Sequence, residues 1–172
     1  IPAGLRRAGI RSVVTIHDLI FLRYPGQYPL ADRLIYTMKT KMACRQASCI
    51  VAISEQTKTD LVELLGVSPE RIRVVYQGCH PVYSKKFSPA EKKEILNRYS
   101  LPGDFLFYVG TVEKRKNLLN IVRAIHAGGI EVPLVVAGRQ REYAEKVKEY
   151  IRKNRIGQVY FLDNVPLQDL PA

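Results

Sequence analysis

The chain has 172 residues, 47% hydrophobic and 25% charged, a balance ordinary for a soluble globular protein and unlike that of a disordered one. That length allows one domain or two small ones, and no apolar run approaches the roughly 18 residues that cross a bilayer. The net charge of +11 attracts acidic partners, whether nucleic acid, an anionic membrane face or phosphorylated small molecules. Residues 1–80 hold 11 basic and 6 acidic groups and residues 81–172 hold 16 and 10, which excludes a polybasic tail.

Cys44, Cys49 and Cys79 form no CxxC pair and no ligand spacing with His17, His80 or His126, so no metal site is expected and the thiols suit a reducing cytoplasm. The opening "IPAGLRRAGIRSVV" lacks the order of a signal peptide. The chain does not begin with Met, and a longer parent is expected.

In chain order, "SVVTI" (12–16) reads as a first strand. Residues 31–46 then set Leu34, Ile35, Met38 and Met42 on one helical face. "CIVAI" (49–53) is a second strand, Ser54 is placed to cap the helix "EQTKTDLVELL", and Gly66 ends it. "IRVVY" (72–76) is a third strand. Residues 77–89, with Gly78, Pro81 and no periodicity, read as a linker. Ser88 and Glu91 form a capping box with Pro89 in the first turn. "FLFYV" (105–109), a helix at 118–126 carrying Leu118, Ile121, Val122 and Ile125, and "PLVVA" (133–137) follow. A last helix with Glu142–Lys146 and Glu149–Lys153 pairs, stopped by Gly157, precedes the strand "VYFL" (159–162).

Strand and helix alternate throughout, and most strands are apolar without strict alternation, the pattern of strands covered on both faces. The fold class is therefore α/β with mainly parallel sheets, in two units of about three strands each. An open sheet usually has more strands, so both units read as incomplete.

Three strand ends carry candidate chemistry, because ligands of open α/β sheets sit outside the carboxyl ends of the strands. Gly110 ends one strand, and Glu113, Lys114, Arg115 and Lys116 lead from it into a helix. Arginine and lysine at a helix start can hold phosphate oxygens by charge-assisted hydrogen bonds; the alternative is a solvated turn. His17 and Asp18 follow the first strand, where His17 can meet a ligand hydroxyl or exchange a proton, or the pair can cap the next turn. Ser54 and Glu55 follow the second, where capping accounts for Ser54. Cys79 beside His80 is a poor nucleophile and base, since adjacent residues in a linker rarely hold the required geometry. His126 near a helix end is accounted for by the helix dipole.

The succession "SVVTIHDLIF", "ASCIVAISEQTKTDL", "VSPERIRVVYQGCHPVY", "FLFYVGTVEKRKNLLNIVRAI" and "PLVVAGR" resembles the family 4 glycosyltransferases over nearly the whole chain. The resemblance implies a GT-B architecture of two Rossmann-like domains, with sugar transfer from a nucleotide-sugar donor and retention of anomeric configuration. It assigns residues 1–76 to the later part of the acceptor-side domain, 77–89 to the interdomain linker and 90–172 to the first part of the donor-side domain.

By the same resemblance Lys116 looks like the family's lysine on the donor diphosphate, Arg115 its basic companion and Gly110 the residue that lets backbone approach the phosphates. His17 resembles the catalytic histidine that reaches the transferred sugar from the acceptor side and faces the space between the domains. Many members carry an arginine directly after the strand glycine, where this chain has Thr111. The family's paired glutamates and its early glycine-rich loop have no counterpart here, so the chain alone is expected to be inactive. No cofactor or metal is implied, the basic pair taking the metal's place.

The expected partners are a nucleotide-sugar donor and a saccharide or lipid-linked acceptor, in the cytoplasm or peripherally at the inner membrane face. Within the fold the alternative is another GT-B enzyme such as a nucleotide-sugar epimerase or a glycogen-type phosphorylase. From another class it is a basic nucleic-acid-binding module, which dispersed charge and the lack of a recognition motif disfavour. No nucleic acid is expected as a partner.

Overall fold

A computed structural model describes residues 9–172, so the part of the opening segment read above for a signal peptide that falls in residues 1–8 lies outside it. The described chain falls into two compact units that meet between Gly78 and Cys79.

The first unit is a parallel three-stranded sheet in the order β1 (Val13–Ile16), β2 (Cys49–Ala52), β3 (Ile72–Val74). Val13 aligns with Cys49 and Ile50 with Ile72. A short helix α1 (Ile20–Arg23) and a long one α2 (Leu30–Gln46) join β1 to β2, and α3 (Glu55–Leu65) joins β2 to β3. Parallel neighbours need such crossovers, and the helices bring Phe21, Cys44 and Leu61 to a core with Ile16, Leu19, Ile50 and Ile72. Two cations fasten it. Arg23 of α1 pairs with the nearly buried Asp60 of α3, which also accepts from Gln56 at 2.8 Å. Arg71 donates to the Cys44 and Ala47 carbonyls at 2.7 Å each, satisfying acceptors at the end of α2.

The second unit repeats the plan with β4 (Leu106–Val109), β5 (Leu134–Ala137) and β6 (Val159–Leu162), also parallel and in that order. Before it runs α4 (Pro89–Arg98), whose Ser88–Glu91 capping box is complete. The crossovers α5 (Leu118–Ala127) and α6 (Tyr143–Lys153) bury Val122, Ile125 and Val147 against Leu134 and Val136.

The strands thus fall within a residue or two of the runs read from sequence. Their coverage differs from the expectation. All four residues of β5 are buried, whereas Val13 of β1 and Leu106, Phe107 and Val109 of β4 are exposed, because these strands lie at sheet edges with a neighbour on one side only. On α6 the ion pair among the described residues is Glu145–Lys148 at 3.3 Å, instead of the two expected pairs. Glu142 sits at the cap, outside the regular helix. The left-handed residue after α6 is Arg155, at φ +51°, so the helix stops ahead of Gly157.

Candidate functional site

Three strands of the second unit end side by side, and hydrogen bonds carry the alignment on into their loops. Gly110 N–H donates to Ala137 O at 2.9 Å, Val112 N–H to Arg139 O at 2.9 Å and Gly138 N–H to Leu162 O at 3.0 Å. Gly110 and Gly138 both hold left-handed backbone, at φ +138° and +145°. A Cβ on Gly138 would stand 2.4 Å from the Gly110 carbonyl oxygen, so the two loops pack backbone to backbone. Beyond them opens a cleft of about 500 Å³ lined by Gly110, Thr111, Gly138, Arg139, Asp163 and Asn164 among others.

The four successive charges separate here. Arg115 pairs with Glu113 at 2.6 Å, and Lys114 is exposed. Lys116 closes a single 3-10 turn and folds back over the strand end, its Nζ 2.6 Å from where a Gly110 Cβ would be. Among the described residues no carboxylate lies within salt-bridge distance of it. Asn117 then takes a left-handed conformation, at φ +60°, and makes no side-chain capping bond as α5 begins. Among the described residues the first N–H groups of α5 therefore have no side-chain acceptor, and the helix begins two residues after Lys116. Anionic oxygens are the ligand this arrangement suits.

Tyr108 of β4 supports the loop from below, its hydroxyl 3.4 Å from the Thr111 carbonyl. Burial pushes this phenol above its usual pKa, and the Glu113 carboxylate adds to the effect.

At the carboxyl edge of the first sheet, side chains occupy the corresponding space. The buried Thr57 donates its hydroxyl to the His17 carbonyl at 3.0 Å, and its N–H goes to Ser54 Oγ at 3.1 Å. His17 is held through its backbone while its ring is exposed, with Nδ1 3.4 Å from the Gln77 amide nitrogen. Capping of the next turn falls to Asp18, which accepts from Ile20 N–H at 3.2 Å. His80 accepts from Val82 N–H at 3.2 Å through Nδ1, so that nitrogen is engaged away from Cys79.

Gly110 and Lys116 are brought together, and Arg115 is tied to Glu113. His17 stands in the other unit. The sequence offers no candidate at Gly138, although a glycine directly after a strand recurs there as at Gly110, and that repetition is the available signal.

Comparison with known proteins now bears on this geometry. The profile of Glycosyltransferase Family 4 matches residues 1–82. An O-antigen chain mannosyltransferase B from Escherichia coli is 28% identical over 168 residues, which cover 94% of this chain and 44% of that protein. Residues 1–82 are thus similar to glycosyltransferase family 4.

Two solved structures share its fold. Anabaena HepE, in complex with UDP and glucose, superposes at a TM-score of 0.77 with 20% identity, covering 97% of this chain and 44% of HepE. Sucrose-phosphate synthase from Thermosynechococcus elongatus gives 0.72 with 21% identity, covering 98% and 44%. Two parallel α/β units are thus the GT-B type of fold, and the chain spans less than half the length of these relatives.

Proposed function

We propose that this chain contributes parts of both domains to a glycosyltransferase that moves a sugar from a nucleotide-sugar donor to a saccharide or lipid-linked acceptor, with retention of configuration. Residues 1–76 belong to its acceptor-side domain, 77–89 to the linker and 90–172 to its donor-side domain. Lys116 holds the donor diphosphate, Gly110 lets it approach the backbone, and Arg115 assists once released from Glu113. Positive charge there stabilises the leaving nucleoside diphosphate as its own charge develops. His17 reaches the transferred sugar. The chain by itself lacks transferase activity, and the complete enzyme works in the cytoplasm or at the periphery of the inner membrane.

The observation that carries this reading is the Lys116 ammonium held over Gly110 without a carboxylate partner among the described residues, beside the start of α5. UDP in complex with HepE supports a nucleoside diphosphate as the anion, and the E. coli mannosyltransferase supports a hexosyl group.

Calorimetric titration with UDP and GDP tests it. Lys116→Ala removes charge-assisted hydrogen bonds of about 1.5–3 kcal/mol, a loss of roughly ten- to more than a hundredfold in affinity. Lys153→Ala, which removes the same charge from the exposed end of α6, leaves affinity nearly unchanged. Equal losses in the two variants, or no nucleotide binding by the unsubstituted chain, would overturn the assignment. In the complete enzyme His17→Ala lowers turnover more than donor affinity, and wild-type turnover would remove His17 from the mechanism.

A further inference from the structure

Arg139 has no part in the site as drawn so far, yet it lines the same cleft as Gly110 and Thr111. Its place is set by backbone: the Arg139 carbonyl accepts from Val112 N–H at 2.9 Å, and Val112 bridges Gln140, so the loop after β5 runs alongside the loop that leads from Gly110 to Lys116. Arg139 is exposed, and among the described residues no carboxylate lies within salt-bridge distance of it. Asp163 stands on the same cleft wall, but its Oδ1 accepts from Asn164 N–H at 3.1 Å and it does not pair with Arg139. The central strand β5 is paired on both sides, with β4 and with β6. Any strands that complete this sheet therefore add beyond β4 or β6, and the loop that carries Arg139 stays in the middle of the carboxyl edge, where open parallel sheets hold their ligands.

We propose that Arg139 is a ligand of the donor diphosphate, a cation that meets its oxygens from the loop after β5 while Lys116 meets them from the loop after β4. This role rests on the donor-site reading above and adds to it a residue from a second loop. A guanidinium presents paired N–H donors in one plane and suits two oxygens of a phosphate, whereas the Lys116 ammonium acts as a point charge. The two cations thus differ in what they supply: Lys116 neutralises, and Arg139 also orients. Arg115 has to give up Glu113, at 2.6 Å, before it can take part, while Arg139 has no such bond to break. Because residue 139 joins the neighbouring loop through its carbonyl, a change of its side chain leaves that bond in place.

The test is calorimetric titration of the chain with UDP and with inorganic pyrophosphate. Arg139→Ala weakens both about tenfold or more, and Arg139→Lys, which keeps the charge and loses the paired donors, weakens them less. Arg141→Ala removes the same charge two positions along, at an exposed residue off the cleft wall, and leaves both affinities within about twofold. Circular dichroism checks that each variant is folded. A loss in Arg139→Ala no greater than in Arg141→Ala would overturn the role, and if Lys116→Ala still weakens binding, the donor site stands without Arg139. A loss with UDP but not with pyrophosphate would also overturn it, by placing the guanidinium on the nucleoside. No binding of UDP by the unsubstituted chain would overturn this role and the donor-site reading together.

Discussion

The two sheets share a plan, three parallel strands with helical crossovers, yet their carboxyl edges are finished by different means. In the first, Ser54 caps α3 and Thr57 reaches across to the His17 carbonyl, so side-chain hydrogen bonds to backbone finish the edge while the His17 ring stays exposed. In the second, Gly110 and Gly138 bring backbone against backbone, the Lys116 ammonium lies over Gly110, and a cleft opens beyond the two glycines. An edge closed by side chains positions one group. An edge built of glycines leaves its backbone open to a ligand that supplies its own polar atoms, with Arg139 and Asp163 both on the cleft wall.

The sharpest way to break this comparison is to put a side chain into the glycine edge. Gly138→Val meets the Gly110 carbonyl in a backbone region that favours glycine, and the expected loss is about 3 kcal/mol or more of stability. Gly66→Ala, at the end of α3, provides the contrast: its φ of +64° is also left-handed, but nothing lies within 4 Å of the added carbon, and the loss is about 1–2 kcal/mol. Urea unfolding of the two variants measures both. Similar losses would mean that conformational preference alone, and not close packing of the loops, demands glycine at the second edge.

The side-chain edge is sharpened by Thr57→Val, which keeps shape and removes the hydroxyl that the His17 carbonyl accepts. About 1–2 kcal/mol is expected, including the cost of an unsatisfied carbonyl. Urea unfolding reads it. An unchanged midpoint would mean that water replaces the hydroxyl and that the edge is no more closed than the other.

Strand positions were legible because each is a short apolar, β-branched or aromatic run, and such runs need no knowledge of their neighbours. Which strands are covered was not legible, since β4 and β5 read alike and only pairing makes one an edge. The stripe on α2 shows the same limit: periodicity groups Leu34, Met38 and Met42 on one face but does not say which way that face points. At the site, the position of Lys116 after Gly110 was visible in the run of charges. The capture of Arg115 by Glu113 was not, because it arises from the local turn and follows no helical spacing. Gly138 was passed over for a related reason, as its need for glycine lies in the approach of Gly110, 28 positions earlier in the chain.

The smallest expected effect concerns Tyr108, the residue beneath the open edge. Its phenol is held above the usual pKa by burial first and by the Glu113 carboxylate second, so the folded state favours the protonated form. A group whose pKa is raised on folding contributes stability that is complete below its unfolded value, near 10 for tyrosine, and is lost as pH rises through the folded value. The contribution is therefore present at neutral pH and fades only under alkaline conditions. Tyr108→Phe keeps the ring and cannot ionise, so its stability falls less steeply than that of the unsubstituted chain above about pH 10. Its 3.4 Å bond to Thr111 is long, and the variant should bind UDP almost as the unsubstituted chain does at neutral pH. Unfolding midpoints at neutral and alkaline pH, with UDP titration at neutral pH, check both halves. A large loss of UDP affinity in Tyr108→Phe would show that a side chain, and not the glycine backbone, sets the shape of the second edge.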